Sequence, residues 1–437
     1  MADGIIFEKL GVQAATIVTD AFSKSGDAMA RRQGFASYRY AMVPHPVSSL
    51  TPEECKTRAR EILPEVMSIL GLEDAAQAPA EPADAAPAAP TNGSRPVSVE
   101  GLSDAELRDL ERVVEHYYEQ GWTDGLPVVP ATEERVRDFA DYVGRDPKEV
   151  VATLAHLDRT CTVELAAVAA IMAGCRKEHF PVVLAALEAF NAPRGWDTGL
   201  VQSTTGQCQM VIVNGPIRER LGFNSTGNLF GPGFRANATV GRALRLVILN
   251  AFGVRPHEFD QSTHGTPAKY TFCIAENEEE SPWEPLHVER GFARDASVVT
   301  AHFARSNLHV ENRRSNKPEQ VLLTIADSMS YAGSFEAGRG YTVVMGPEHA
   351  QLLARQGWTK QAAKQFIWEH WGRTRGELRR FGLLRDDGDE EQFLRFGQSP
   401  DSLLLVVAGA KNAGLSTVIP TVSPDFFSQA IAEPRGA

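Results

Sequence analysis

A run of alanine and proline divides the chain into a short amino-terminal segment and a much longer remainder. Thirteen of the sixteen residues from 75 to 90 are Ala or Pro, and the other three are polar. A stretch of this composition has no apolar periodicity and behaves as a linker. We therefore predict a small α/β module over residues 1–72, a flexible linker over 73–100, and a large α/β domain over 101–437 with room for two subdomains.

The amino-terminal module alternates strand-like and helix-like patterns. We predict strands over 13–18 and 38–43, and helices over 21–32 and 51–70. The second helix has a clear start, because the Thr-Pro-Glu-Glu sequence at 51–54 combines an N-cap, a proline in the first turn and a capping-box glutamate. A β-α-β-α unit of this size is too small to close a core alone, so we expect it to pack against another surface.

Helix and strand patterns also alternate through the large domain. Ser103 and Glu106 form a capping box that opens a helix. We predict helices over 103–120, 132–143, 162–173 and 179–190, and strands over 209–213, 270–275, 297–302, 341–345 and 403–407. This alternation indicates an α/β fold with mixed or parallel sheets and flanking helices.

A glycine-rich loop, Asn224–Gly233, runs into a helix whose apolar residues recur at helical spacing up to Ala251. Glycine lets a ligand approach the backbone closely, and Asn237 or Thr239 is a natural N-cap. The start of a helix also attracts anions. We therefore expect this region to bind the anionic group of a substrate, through Asn228, Gly231, Gly233, Arg235, Asn237 and Arg242.

A glycine-rich turn that caps a core helix, with its arginines in solvent, would show the same pattern. The spacing differs from the G-x-G-x-x-G of dinucleotide-binding proteins, and the G-K-[ST] of a P-loop is absent from this sequence. The loop therefore indicates an anion site and carries no nucleotide fingerprint.

The densest group of polar side chains follows this helix, between Gln261 and His287. Glu276 and Glu278 come directly after a predicted strand, and His287 lies a few residues further on. Histidine titrates near neutral pH and a carboxylate can orient it, so these residues could transfer protons. We take His287, Glu276, Glu278 and Lys269 as candidate catalytic residues. Trp283 is a candidate substrate contact, although it could equally pack at the surface.

The same segment could bind a divalent metal ion. Two imidazoles and a carboxylate suffice for zinc or iron, and the ligands would be His264, His287 and Glu276. Their spacing is irregular and no H-E-x-x-H motif is present. The acidic run at 278–280 is also of a kind that commonly forms a solvated loop.

The five cysteines are scattered and include no C-x-x-C pair, so they indicate neither a disulfide scaffold nor a zinc ribbon. Cys161 follows Arg159 at a predicted helix start, and Cys175 precedes two basic residues. A basic neighbour favours the reactive thiolate, which makes Cys175 and Cys161 candidates for nucleophilic or redox chemistry. The alternative is that both are inert core residues.

Composition narrows the classes of partner. The net charge is −12, and no Lys/Arg-rich run is interleaved with aromatic residues, so we expect no nucleic-acid partner. No stretch approaches the roughly 18 apolar residues of a membrane span, and the amino terminus lacks the pattern of a signal peptide. We therefore predict a cytoplasmic protein without a membrane partner.

Two stretches of the amino-terminal module, IVTDAF at 17–22 and MVPHP at 42–46, carry a family resemblance. The module resembles the second half of the UGSC family, small α/β proteins named for a selenocysteine or cysteine followed by Gly-Ser-Cys. The remainder resembles a larger domain that accompanies this family, with matching pieces at 121–128, 172–176, 213–216, 235–239, 276–278 and 285–287.

The family motif would lie before the segment that begins near Phe7, and this sequence does not contain it. The resemblance therefore implies one of two arrangements. Either a UGSC-type partner subunit supplies the missing half, or the large domain acts through its own residues. The first arrangement predicts an oligomer, formed with such a partner or between copies of this chain.

These observations lead to three functional hypotheses. The first is a lyase or hydrolase that acts by acid/base chemistry on a small carboxylate or acyl anion, with or without a divalent metal. The second is a non-catalytic or co-catalytic subunit that docks a UGSC-type partner through residues 1–72. The third is a thiol-dependent redox enzyme that uses Cys175 or Cys161.

Overall fold

A computed structural model of the chain describes residues 1–47, 50–72, 103–192, 195–196, 203–331 and 340–434. The linker predicted over 73–100 lies outside the described residues. The chain divides into two compact units. One contains Met1–Leu102 with Arg313–Asn316 and Lys411–Gly414, and the other contains Ser103–Asn312, Lys317–Ala410 and Leu415–Ala437.

The amino-terminal unit is a β-α-β-α module preceded by a further helix. Its elements in chain order are α1 (Ala2–Lys9), β1 (Ile17–Thr19), α2 (Ser23–Arg32), β2 (Ala41–Val43) and α3 (Pro52–Ile69). The two strands are parallel, with Ile17 opposite Ala41. The predicted capping box at Thr51 is confirmed, since its side chain accepts a hydrogen bond from the Glu54 N–H. Both strands begin later than predicted, and α1 was not predicted.

The carboxyl-terminal unit contains the predicted mixture of helices and strands. The helices are α4 (Asp104–Glu119), α5 (Glu133–Val143), α6 (Val163–Ala173), α7 (Phe180–Phe190), α8 (Ile217–Leu221), α9 (Arg235–Asn250), α10 (Leu286–Glu289), α11 (Pro318–Tyr331), α12 (Pro347–Arg355), α13 (Lys360–His370) and α14 (Arg375–Arg380). The strands are β3 (Val150–Leu154), β4 (Arg159–Thr162), β5 (Cys208–Asn214), β6 (Cys273–Ala275), β7 (Val298–Ala304), β8 (Leu308–Glu311), β9 (Tyr341–Met345), β10 (Gly372–Thr374), β11 (Phe393–Arg395), β12 (Leu403–Val407), β13 (Leu415–Pro420) and β14 (Phe427–Ala430).

Two four-stranded sheets form the centre of this unit. Their strand orders are β14-β7-β5-β6 and β12-β9-β13-β8. In the first sheet β5 and β6 are parallel, and in the second β12 and β9 are parallel, whereas the other pairings are antiparallel. The fold class is therefore α/β with mixed sheets and flanking helices, as the sequence predicted.

The two sheets pack face to face and helices cover their outer faces. Met210 and Ile212 of β5 share one buried cluster with Val344 of β9 and Leu404 of β12. The next residues along each strand point outward, because side chains alternate along a strand. On one side they pack against α6, α7 and α9, and on the other against α11, α12 and α13. The unit therefore has four layers, helix–sheet–sheet–helix.

Helix α9 carries the buried stripe that the sequence predicted, but it begins earlier than expected. Its first residue is Arg235, and Phe234 is the N-cap without a side-chain hydrogen bond. The prediction that Asn237 or Thr239 caps the helix is wrong. The Asn237 side chain instead accepts a hydrogen bond from Asn224 N and donates to the carbonyls of Asn224 and Cys273. These bonds fix the start of the glycine-rich loop against β6.

Glycine at position 241 allows α9 to approach closely the two residues that precede β6. A Cβ atom there would lie 2.4 Å from Thr271 Oγ1 and 2.8 Å from Phe272 N. No side chain fits at such distances, so the helix could not pack this closely with any other residue. Along the part of the chain that the structure describes, no helix is both long enough and apolar enough to cross a membrane.

Candidate functional site

A cavity of about 860 Å³ lies in the carboxyl-terminal unit, at the end of the sheet where β6 begins. One wall is the loop Gly121–Gly125, and the other comes from the chain between Arg255 and Tyr270. Arg245 and Leu249 of α9 also line it. Its volume lies within the usual range for pockets that bind small molecules. Two residues singled out from the sequence, His264 and Lys269, face this cavity.

The Gly121–Gly125 wall is fixed to α9 by an ion pair. The Arg242 guanidinium donates to both carboxylate oxygens of Asp124, at 2.8 and 2.7 Å, and also to the carbonyls of Leu126 and Pro127. The Asp124 side chain is almost fully buried. Arg242 therefore holds the loop that forms the cavity wall, and its guanidinium already has an anionic partner.

The floor of the cavity contains a second, larger ion-pair network. Asp260 accepts hydrogen bonds from Arg245 at 2.8 Å and from Lys269 at 2.9 and 2.7 Å, and also bonds to the Ser262 hydroxyl. Lys269 Nζ lies 2.6 Å from Ser262 Oγ. Burial alone would raise the pKa of Asp260, but the bonds from Lys269, Ser262 and Arg245 outweigh it and hold the pKa below its usual value. Burial, together with Arg245, lowers the pKa of Lys269 although Asp260 opposes the shift.

Arg255 and His264 differ from these residues because their side chains have no hydrogen-bond or ion-pair partner among the residues that the structure describes. Both line the cavity. Asp124 is paired with Arg242, and Asp260 shares its charge between two cations. Glu258 is the remaining carboxylate in the lining. The cavity is therefore locally cationic in a chain whose net charge is −12.

A separate polar cluster lies at the opposite end of β6. Asn214 ends β5, and its Nδ2 donates to Glu276 Oε2 at 2.6 Å and to Glu278 Oε1 at 3.0 Å. Glu278 Oε1 also accepts from Gly215 N and lies 3.0 Å from Arg218 Nε. Asn214 and Glu276 are completely buried. Burial raises the pKa of Glu276, against the opposing effects of Lys360, the Leu286 N–H and Asn214.

His287 on α10 completes this cluster. Its ring is fully buried, with Nε2 3.1 Å from the carbonyl of Arg294 and Nδ1 3.9 Å from Glu278 Oε1. Three atoms of the cluster, Asn214 Oδ1, Glu276 Oε1 and His287 Nδ1, are buried without a hydrogen-bond partner among the described residues. The structure thus places the candidate acid/base residues Glu276, Glu278 and His287 together, whereas Lys269 and His264 lie at the cavity.

The cluster lies where the carboxyl ends of strands from both sheets meet. Asn277 N donates to the carbonyl of Val407, the last residue of β12, and Asn277 Nδ2 donates to the carbonyl of Gly409. Gln351 of α12 donates to Glu280 at 2.8 Å. The carboxyl ends of parallel strands are where open α/β sheets commonly bind ligands.

The residues expected to bind an anion at the glycine-rich loop have other contacts. Asn228 donates to the carbonyl of Pro232 within its own loop, and Gly231 lies against the Asn228 side chain. Gly233 has a φ of 120° and open space around it. Arg235 is exposed and donates twice to the carbonyl of Gly174. None of these residues lines the cavity, nor do Asn237, Arg242 and Trp283.

Trp283 packs against the core between the second sheet and its helices, and its indole N–H donates to the carbonyl of Trp358 at 3.0 Å. Trp283 is therefore a partly buried residue at the edge of this core. Arg235 and Arg242 contact Gly174 and Asp124, whereas Glu276, Glu278 and His287 form a separate cluster. The single shared anion site expected from the sequence is therefore not formed by these residues.

Cys161 and Cys175 are both buried, and burial raises the pKa of each thiol to about 12. At neutral pH such thiols are almost entirely protonated, which disfavours their reaction as nucleophiles. Cys208 and Cys273 are buried as well. These surroundings match the inert alternative for the cysteines more closely than the redox hypothesis.

Thiol labelling is expected to detect Cys55 alone in the native protein, because it is exposed and the other four cysteines are buried. All five should react after unfolding in denaturant. The measurement is titration with a chromogenic disulfide reagent, and the control is the variant Cys55→Ser, which should lose the rapid phase. Rapid labelling of Cys161 or Cys175 in that variant would contradict their burial.

Several residues of both sites were not identified from the sequence. Asp260, Ser262 and Arg255 lie in segments without a recognisable motif, and their roles depend on contacts across the fold. Asn214 ends a strand and precedes Gly-Pro, a pattern that could have marked it as a strand-end residue. Asp124 lies between threonine and glycine in a turn-rich loop, where its partner could not be read from local spacing.

The metal ligands expected from the sequence are not assembled as one group. His264 lies at the cavity, before β6, whereas Glu276 and His287 lie after it. Within the described ranges, no group of three or more His, Cys, Asp or Glu side chains is arranged to hold a metal ion. A metal site in this unit would therefore need a ligand of another type.

Comparison with known protein families finds a match in the amino-terminal region. A model of the UGSC family matches residues 1–72, which confirms the resemblance noted for this module. No curated protein matches the chain. Both polar sites described above lie in the carboxyl-terminal unit, beyond the matched residues.

Proposed function

We propose that the protein is an enzyme that binds a small carboxylate or acyl anion in the 860 Å³ cavity and converts it by acid/base chemistry, as a lyase or hydrolase. The observation that carries this proposal is the cationic lining of the cavity. Arg255 supplies a guanidinium with no protein partner among the described residues, beside the paired Arg245 and Lys269. A guanidinium can bind a carboxylate through two parallel hydrogen bonds.

His264 is the proton-transfer group in this proposal. It lines the same cavity and its ring nitrogens have no partner in the described part of the chain. Histidine exchanges protons near neutral pH, and a ring that is not already hydrogen-bonded can reach a substrate. Lys269 is less suited to this role, because Asp260 and Ser262 occupy its donor positions. It contributes positive charge that helps to orient the anion.

The test uses the full chain and a mixture of small metabolites. Wild-type protein is incubated with a cell extract, and anionic compounds that are consumed are measured by mass spectrometry. We expect at least one carboxylate or acyl compound to be consumed by the wild type and spared by His264→Gln. Arg255→Gln should bind the same compound about 10- to 100-fold more weakly, because it loses a charged hydrogen-bond partner.

Arg137→Gln is the matched control, since Arg137 is exposed on α5 and does not line the cavity. It should behave as the wild type does. Consumption of the compound by all three variants at wild-type rate would place the reaction elsewhere. If no anionic compound is consumed, and none raises the melting temperature of the wild type, the proposal is wrong.

A second candidate function, docking of a UGSC-type partner, is supported by the amino-terminal unit alone. This unit has a largely apolar cavity of about 520 Å³, lined by residues that include Ile17, Val18 and Phe22. Ile17 and Phe22 are also exposed at its surface. A large exposed apolar area favours a protein partner. Recovery of an inactive chain in a defined complex with a UGSC-type subunit would support this function.

A further inference from the structure

We propose that Asn214, Glu276 and His287 bind a first-row divalent cation, Mn²⁺, Fe²⁺ or Zn²⁺, at the carboxyl ends of β5 and β6. The ligand atoms are Asn214 Oδ1, Glu276 Oε1 and His287 Nδ1. This site is separate from the cationic cavity at the other end of β6, and the inference does not depend on the function proposed for that cavity. It differs from the ligand set expected from the sequence, because Asn214 takes the place of His264.

The first step concerns the chemical nature of the three atoms. His287 Nε2 lies 3.1 Å from the carbonyl oxygen of Arg294, which can only accept a hydrogen bond. Nε2 therefore donates its proton to this carbonyl, and Nδ1 is the ring nitrogen that can present a lone pair. Asn214 Nδ2 donates to two carboxylates, so Oδ1 is the remaining acceptor of its amide. Glu276 Oε1 is also an acceptor, which means that all three atoms can donate electron pairs to a cation.

The second step is that the neighbouring hydrogen-bond donors are already used. Asn214 Nδ2 and the Leu286 N–H both donate to Glu276 Oε2. Gly215 N donates to Glu278, and the Arg218 guanidinium is shared by Glu278, Glu279 and two carbonyls. No donor among the described residues reaches the three acceptors.

Leaving these acceptors without a partner would be costly. A buried acceptor with no partner typically costs about 1–3 kcal/mol, and more if it is charged. Such groups are uncommon in native proteins, where an unpaired buried polar atom generally indicates water or an ion. A proton on Glu276 Oε1 could satisfy that oxygen and one neighbouring acceptor, whereas a coordinated cation can satisfy all three atoms together.

Glu278 lies beside this site but is not one of its ligands. Its Oε1 is 3.9 Å from His287 Nδ1, which is too long for a hydrogen bond between them. The same oxygen already accepts from Asn214 Nδ2, Gly215 N and Arg218 Nε. Glu278 therefore holds the surrounding donors and leaves His287 Nδ1 available to an ion.

The ligand types define the class of ion. Imidazole favours zinc and iron over magnesium and calcium, whereas carboxylate and amide oxygens are also accepted by manganese. A site with one nitrogen and two oxygens, without a thiolate, therefore indicates Mn²⁺, Fe²⁺ or Zn²⁺. Because Asn214, Glu276 and His287 are completely buried, such an ion would be held within the fold.

The experiment measures metal in the full chain, purified without a metal-affinity step. Elemental analysis of the wild type should find about one Mn, Fe or Zn per chain. After chelator treatment, calorimetric titration with Mn²⁺, Fe²⁺ under anaerobic conditions, and Zn²⁺ should restore one ion per chain for at least one of them. Glu276→Gln and His287→Gln should bind that ion at least about 100-fold more weakly.

The matched control is His349→Gln. His349 is also buried, but both of its ring nitrogens have partners, Ser416 Oγ at 2.8 Å and the carbonyl of Asn312 at 3.1 Å. This variant should retain the ion. A second measurement keeps the proposal testable if Glu276→Gln or His287→Gln does not fold: Co²⁺ added to chelator-treated wild type should give visible absorption bands of a nitrogen- and oxygen-ligated ion.

Three results would overturn the proposal. The first is wild-type protein with far less than one ion per chain and no binding of any of the three ions after chelation. The second is undiminished binding in folded Glu276→Gln and His287→Gln. The third is the absence of Co²⁺ bands in the wild type. The first would mean that water or a proton fills the site, and the second would place the bound ion elsewhere.

Discussion

Asp260→Asn is expected to lower the free energy of unfolding by about 3–5 kcal/mol, the usual cost of removing one partner from a buried ion pair. Asp260 is the shared anion of Arg245 and Lys269, and all three side chains are largely buried. An asparagine would keep the shape of the side chain but would leave two buried cations without a counter-charge. The measurement is urea-induced unfolding at pH 7, followed by fluorescence.

The matched control for this prediction is Asp138→Asn. Asp138 pairs with Lys177 at 3.0 Å, but both side chains are exposed, so its loss should cost less than about 1 kcal/mol. The wild type should also lose stability as the pH falls. The folded-state pKa of Asp260 is below its ordinary value, so its contribution is complete above the unfolded-state pKa of about 3.9 and is lost as the pH falls below it. Equal stability of Asp260→Asn and wild type would mean that the network contributes nothing to folding.

His302 is expected to make the protein less stable in mild acid. It lies on β7 between the two sheets, completely buried, with Nε2 3.0 Å from Thr342 Oγ1. Burial, with a smaller effect from Arg290, lowers the pKa of His302 from 6.5 to about 3. The folded ring resists protonation and the unfolded ring does not. The contribution of neutral His302 to the free energy of unfolding is therefore complete above pH 6.5 and is lost as the pH falls towards 3. Between pH 7 and pH 5 this one group should cost about 2 kcal/mol.

The measurement is the change in the free energy of unfolding between pH 7 and pH 5, for the wild type and for His302→Gln. The variant should lose about 2 kcal/mol less over this interval, whatever its stability at pH 7. His309→Gln is the control, because His309 is exposed on β8, and it should show the same change as the wild type. If His302→Gln loses as much stability as the wild type over this interval, the ring is not held neutral between the sheets.

The sequence predicted elements whose signals are local. β9 and β12 have the predicted bounds, and the capping boxes at Thr51 and Ser103 are present as expected. A cap or an apolar strand depends on a few consecutive residues, so its pattern is visible in the sequence alone. Strands β8, β13 and β14 were not predicted, because their pairing depends on partners far along the chain.

The sites were predicted less completely, because their contacts join distant parts of the chain. Glu276, Glu278 and His287 are neighbours in sequence, and they do lie together. The partner of Arg242 is Asp124, 118 residues earlier, and no local pattern links the two. Asparagine is a residue type that commonly caps helices, but the Asn237 side chain makes three hydrogen bonds to Asn224 and Cys273 instead. Tertiary contacts thus override local preference where the chain is most polar.

Strand β6 has only three residues, yet Lys269 precedes it and Glu276 follows it. Its alignment with β5 places Cys273 opposite Val211 and Ala275 opposite Val213. A slip of one residue would turn each of its side chains to the other layer and displace the ends of both polar sites together. The alignment of β6 with β5 therefore sets the positions of residues in two otherwise independent sites. Substitutions that shift this alignment should displace residues of both sites.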